Sequence, residues 1–180
     1  LETVDYYLYN ESLNTTGLVG YWNFDRDNST IFDISGMRNN GTNNGSTYNS
    51  SGKLGGARSF DGVNDYVNID SVVSTLSGTT TGTWSAWVKP NTLNTGTSQT
   101  ILSFGDTDAN EYLVVWINSV NPYLQLIAVD GGTTQFNVYT GSVFSVNIWT
   151  HVAIVQNGTS PVLYVNGINQ SVTWATSTDK

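Results

Sequence analysis

The chain has 180 residues, no cysteine, 11% charged residues and a formal net charge of −8. That length suits one domain able to hold a core without disulfide staples, and the composition leaves no thiolate chemistry open. The six Lys and Arg are scattered, which excludes nucleic acid and anionic membrane, both of which need basic clusters.

Polarity comes from Asn, Thr, Ser and Gly rather than from charge, a balance compatible with cations or neutral glycans. No run of about 20 apolar residues is present, so no helical span and no membrane insertion is expected. The opening Leu1-Glu2-Thr3-Val4 has neither the basic nor the apolar segment of a signal peptide, nor an initiator Met. It reads as the start of a piece excised from something longer.

Helical periodicity is nearly absent. Gly and Asn punctuate the chain roughly every eight to twelve residues, with β-branched and aromatic residues between, the pattern of an all-β sandwich. In chain order, Leu18 to Phe24 is expected as a first strand, and the polar run Asn39 to Gly52 as a long surface loop. Ala57 to Phe60 and Tyr66 to Ile69 flank the turn signal Asp61-Gly62. In Thr83 to Lys89, Trp84, Ala86 and Val88 point one way and Ser85, Trp87 and Lys89 the other, and Pro90 ends the strand. Gln99 to Phe104 and Tyr112 to Ile117 read as a hairpin; Tyr123 to Val129 and Phe136 to Tyr139 pair around Gly131-Gly132. Trp149 to Val155 and Val162 to Val165 follow, and Asn166-Gly167 is expected to fold back a strand from Ile168 to Val172.

Eight Asn-x-Ser/Thr sequons, at Asn10, Asn14, Asn28, Asn40, Asn44, Asn49, Asn157 and Asn169, fit an extracellular or cell-surface protein. A chain this rich in Asn, Ser and Thr also makes sequons by chance.

Three segments together carry a resemblance. Gly17-Leu18-Val19-Gly20-Tyr21-Trp22-Asn23-Phe24-Asp25 is followed by Asp33-Ile34-Ser35-Gly36 and Asn39-Asn40-Gly41. Ala57-Arg58-Ser59-Phe60-Asp61-Gly62-Val63-Asn64-Asp65-Tyr66-Val67 precedes Ser85-Ala86-Trp87-Val88-Lys89-Pro90. Trp149-Thr150-His151-Val152-Ala153 precedes Leu163-Tyr164-Val165-Asn166-Gly167. In this order and spacing they resemble the laminin-G-like jelly-roll domains of the concanavalin A-like lectin/glucanase superfamily. The resemblance implies a two-sheet antiparallel jelly-roll sandwich over residues 17–180. That family usually closes with a strand absent at this C-terminus. Val4-Asp5-Tyr6-Tyr7-Leu8-Tyr9-Asn10-Glu11-Ser12-Leu13 looks like it, so residues 1–16 are expected as a closing strand, of this domain or of a preceding repeat. Strand exchange with another copy is the further alternative.

Hydrolases of this superfamily need two carboxylates across the scissile bond. The only Glu residues are Glu2, Glu11 and Glu111, and no expected strand carries two carboxylates at alternate positions, so no enzyme activity is expected. His151, the single histidine, has no nucleophile motif near it and reads as structural.

Calcium takes six to eight hard oxygen ligands, and two acidic clusters offer them. One is Asp25, Asp27, Asp33 and Asn40, joined by Asp61 and Asp65; the other runs Asp106, Asp108, Asn110 and Glu111. The second is similar to a pentraxin calcium loop, with Ala109 where an Asp is expected. Solvated turns built by Asp and Asn are the alternative reading of both. For a glycan, the candidates are Tyr112 and Trp116, which share a face with Val114, together with Trp87, Tyr123 and Tyr139. Leu113, Val115 and Ile117 form the more apolar face, and Trp22, Trp84 and Trp149 are assigned to the core. The function expected is a non-catalytic binding or adhesion module for a glycan or a surface protein, assisted by calcium. A structural spacer repeat without a ligand is the alternative, and a glycoside hydrolase the third.

Overall fold

A computed structural model describes residues 16–105, 108 and 110–178. The expected closing strand near the N-terminus and Asp106 lie outside them. The chain divides into two units, Leu1–Gly78 and Thr79–Lys180. No helix among the described residues is long and apolar enough to cross a membrane.

The first unit is built from short polar strands: β1 (Thr30–Ile31), β2 (Gly41–Asn44), β3 (Thr47–Asn49), β4 (Ala57–Ser59) and β5 (Tyr66–Asn68). They form one sheet ordered β1-β2-β5 and a separate β3-β4 pair. A 3-10 turn, Asp70–Val72, runs into a one-turn helix, α1 (Val73–Leu76). Two expectations change here. Asn39 to Gly52 is not a loop: Thr42, Asn43 and Asn44 pair with Asn68, Val67 and Tyr66, and Thr47 to Asn49 pair with β4. The pairing comes from backbone groups, which polar side chains do not advertise. Leu18 to Phe24 is not a regular strand. Its backbone is tied to a loop, through Ile34 N–H to Tyr21 O at 2.9 Å, and Phe24 takes a positive φ of 59° that ends any extension.

The second unit holds nine strands: β6 (Thr81–Val88), β7 (Gln99–Gly105), β8 (Tyr112–Ile117), β9 (Tyr123–Asp130), β10 (Thr133–Ser142), β11 (Thr150–Asn157), β12 (Pro161–Val165), β13 (Ile168–Asn169) and β14 (Thr173–Ser177). They make a five-stranded sheet, β14-β10-β9-β8-β7, and a four-stranded sheet, β13-β12-β11-β6, with every pairing antiparallel. Two tight hairpins have the left-handed pairs their sequences call for, Gly131 (φ 52°) with Gly132 (φ 70°) and Asn166 (φ 49°) with Gly167 (φ 78°).

Alternation along these strands sends one set of side chains between the sheets. Val115, Ile117, Leu124, Leu126, Phe136 and Val138 of one sheet join Val152, Ile154, Leu163 and Val165 of the other in a single core. Leu124 and Leu163 are fully buried, each contributing about 2–3 kcal/mol by removal from water. Trp84, Ala86 and Val88 pack against this core, Trp84 with its ring 5.2 Å from Phe104. The architecture is the expected jelly-roll sandwich of two antiparallel sheets. One expected strand is shorter: after Asn169 the chain leaves its hairpin, and Thr173 to Ser177 join the other sheet beside β10. That crossing lets Trp174 pack on the core, edge-on to Phe136 at 6.4 Å.

Candidate functional site

Because Leu113, Val115 and Ile117 face the core, Tyr112, Val114 and Trp116 stand on the opposite face of the five-stranded sheet, as the alternation required, with Val114 buried there and the two aromatic rings partly exposed. In β9 the same parity sends Leu124 and Leu126 inward and Tyr123, Gln125 and Ile127 outward. The register then lays Trp116 beside Gln125 and Gln125 beside Tyr139. Tyr139 stacks on Tyr123 with ring centroids 5.2 Å apart and planes 13° from parallel. Four of the five candidate aromatics, Tyr112, Trp116, Tyr123 and Tyr139, therefore share one surface, and all four are partly exposed.

An amide network fixes this surface. Gln125, 8% exposed, accepts through Oε1 from Trp116 Nε1 at 2.9 Å and from Asn118 Nδ2 at 2.8 Å. Its own Nε2 donates to Asn137 Oδ1 at 2.8 Å. Both hydrogen-bonding ends of the Gln side chain are occupied, so the indole is held in one orientation. Every outward position of β8 and β9 within the network is uncharged. Sequence patterning does not single out Gln125, Asn118 and Asn137, because a polar residue inside an alternating strand reads as ordinary solvent-facing alternation. The signal that finds them is the hairpin register, which stacks them in adjacent rows.

Trp87 does not join this group. It lies on β6, 39% exposed, on the outer face of the four-stranded sheet. Two core assignments are also corrected. Trp149 directly precedes Thr150, which is 2% exposed, so alternation turns its ring outward, where Lys89 Nζ sits 5.2 Å from the ring centroid. Trp22 is partly buried in the first unit, outside the main core, with Nε1 donating to Asn39 O at 2.8 Å.

The acidic residues of the first unit are turn builders. Asp33 Oδ1 accepts from Tyr21 N at 2.9 Å and Ser35 N at 2.8 Å, and Oδ2 accepts from Ser35 Oγ and Asn39 N, each at 2.8 Å. Burial pushes its carboxyl up, but the bonds from the Ser35 hydroxyl and the three backbone N–H groups outweigh that and hold it below the ordinary carboxylate range. Asn40 Oδ1 accepts from Asp33 N at 2.9 Å. Asp25 takes Gly56 N–H at 2.7 Å on Oδ1 and Asn23 Nδ2 on Oδ2. Asp61 and Asp65 likewise accept from backbone N–H groups of their own loop. In the second unit, Asp108 Oδ1 accepts from Asn110 N at 3.0 Å, at the connection between β7 and β8. Among the described residues no three His, Asp or Glu side chains converge as metal ligands. A carboxylate whose oxygens already accept several N–H and O–H donors does not fit a calcium shell, and Asp33 is in that position.

Arg58 belongs to the same first unit. Its buried guanidinium donates from Nη2 to Arg26 O and Asn28 O, both at 2.7 Å, and lies 3.8 Å from the exposed Asp27 carboxylate. It serves as a tie for the 26–28 loop.

A solved structure with a similar fold is Domain 4 of AbnA, a GH43 extracellular arabinanase from Geobacillus stearothermophilus, in complex with arabinotriose. The two align with a TM-score of 0.65 and 19% identity, over 88% of this chain and 78% of that one. No curated protein sequence matches the chain. The family model of laminin G type, described as the concanavalin A-like lectin/glucanases superfamily, matches residues 61–180. The chain therefore belongs to the concanavalin A-like lectin/glucanase superfamily.

Proposed function

We propose that this chain is a non-catalytic, extracellular carbohydrate-recognition module whose ligand lies on the outer face of the five-stranded sheet. The observation that carries the proposal is the uncharged aromatic and amide surface formed by Tyr112, Trp116, Tyr123 and Tyr139 around Gln125 and Asn137. Sugar rings offer apolar C–H faces and hydroxyl rims. Flat aromatic rings match the first, and fixed amides, which both donate and accept, match the second. An uncharged surface selects a neutral glycan, since a charged sugar would shed hydration there without a counter-charge. The non-catalytic part is supported by the same surface, whose β8 and β9 residues offer no pair of carboxylates to cleave a glycosidic bond. Eight sequons and a low charge content support the extracellular placement.

The Asp25 and Asp33 carboxylates accept from protein donors, which supports a reading without calcium at the Asp25, Asp33 and Asn40 cluster. The expected result is a melting temperature unchanged by chelator.

The test is calorimetric titration with neutral oligosaccharides. Arabino-oligosaccharides come first, because the structural neighbour was solved with arabinotriose. Saturable binding that weakens about tenfold, or 1.4 kcal/mol, in Tyr139→Ala and Trp116→Ala supports the proposal. A full panel of neutral glycans without binding, or binding indifferent to both variants, overturns it in favour of a structural spacer.

A further inference from the structure

The outer face of the four-stranded sheet carries a different chemistry. The antiparallel register of β6 and β11 sets His151 opposite Trp87 and Thr150 opposite Val88. One residue further along, it brings Lys89 and Trp149 together. The Trp87 and His151 rings lie 5.2 Å apart at 57°, and Lys89 Nζ lies 5.2 Å from the Trp149 ring. Two aromatic platforms, an ammonium and an imidazole thus occupy two adjacent rows of one sheet face. Trp87 is 39% exposed and the other three are partly exposed.

The charge distribution makes this grouping informative. Lys89 is the only Lys or Arg among the described residues of the second unit, and His151 is the only histidine of the chain. The described acidic residues of that unit, Asp108, Glu111 and Asp130, belong to the β7–β8 connection and the β9–β10 hairpin of the other sheet. An anionic group at this face meets a local cation, the Lys89 ammonium, whose Nζ lies over the Trp149 indole and carries N–H donors.

We propose that this face is a second saccharide site, specific for an acidic sugar of the hexuronate class. The pyranose face would stack on Trp87, and its carboxylate would meet the Lys89 ammonium, with His151 as a second donor. The ring supplies apolar contact, and the charge-assisted hydrogen bond supplies the selection against neutral sugars. The site is independent of the neutral-glycan surface on the opposite sheet, so either can fail while the other stands.

The probe is a trimer of galacturonic acid, titrated against the whole chain beside the neutral galactose trimer. The acidic trimer is expected to bind at millimolar concentration or below, at least about tenfold tighter than the neutral one, and to weaken as salt rises. Lys89→Gln and Trp87→Ala should each weaken it about tenfold, Lys89→Arg should keep it within about threefold, and Trp116→Ala should leave it unchanged. Melting curves of each variant confirm folding; if Trp87→Ala is unstable, Lys89→Gln and Lys89→Arg decide alone. Equal binding of both trimers, absence of acidic-trimer binding, or binding unmoved by Lys89→Gln overturns the proposal.

Discussion

Replacing Gln125 with Leu isolates the amide network from the apolar packing around it. Gln125 is 8% exposed and makes three hydrogen bonds of 2.8–2.9 Å. At about 1 kcal/mol net per neutral bond, their loss costs about 3 kcal/mol. A buried Leu side chain of similar volume returns about 1 kcal/mol of apolar transfer. The partners Trp116, Asn118 and Asn137 are partly exposed, so water can satisfy them and no further penalty arises. The net expectation is a loss of about 2 kcal/mol, or roughly 4–8 °C in Tm for a chain of this length. Urea unfolding of the parent, Gln125→Leu, Trp116→Phe and the double variant reads it. Phe lacks the indole N–H, so Gln125→Leu should cost about 1 kcal/mol less in that background. Gln125→Leu as stable as the parent, with strictly additive effects in the double variant, would refute the idea that Gln125 orients the indole.

The remaining predictions address the frame on which the sites stand. Arg58→Met removes two 2.7 Å charge-assisted bonds to the carbonyls of Arg26 and Asn28. It should cost about 3 kcal/mol and expose the 26–28 loop to limited proteolysis; an unchanged urea midpoint would show that the tie is dispensable. Asp33→Asn should destabilise at pH 7, because an amide accepts through one oxygen where the carboxylate accepts through two. The native Asp33 carboxyl lies below its ordinary value. Its stabilisation is therefore complete above the unfolded value of about 3.9 and is lost as pH falls below that toward the native value. The difference between parent and variant should shrink as pH falls below about 3.9 toward the native value, and a difference constant in pH would count against it. Leu163→Ala, at a fully buried position between the sheets, should cost about 3–5 kcal/mol by chemical denaturation. Ile168→Ala, 66% exposed, should change stability by less than about 0.5 kcal/mol, and equal effects at the two positions would contradict the sandwich register.

Alternating strands in Thr83 to Lys89, Tyr112 to Ile117 and Tyr123 to Val129 were legible in the sequence, because burial on one face writes a period of two into the side chains. The Gly131-Gly132 and Asn166-Gly167 turns were legible for a related reason: only a few residues tolerate the left-handed backbone that a tight hairpin requires. The sequence was silent where pairing depends on backbone groups alone. Asn39 to Gly52 therefore read as a loop yet contains two strands, and Leu18 to Phe24 read as a strand yet bonds to a turn.

The candidate surfaces divide along the same line. Composition and alternation identified Tyr112, Trp116, Tyr123, Tyr139 and Trp87 as aromatics available outside the core. Only the tertiary structure separated Trp87 onto the opposite sheet, drew Tyr139 and Gln125 into one surface with Trp116, and set Lys89 over Trp149. Alternation along one strand fixes which way a side chain points. Its neighbours depend on which strands pair and in what register, a choice made by the packing of both sheets around a shared core.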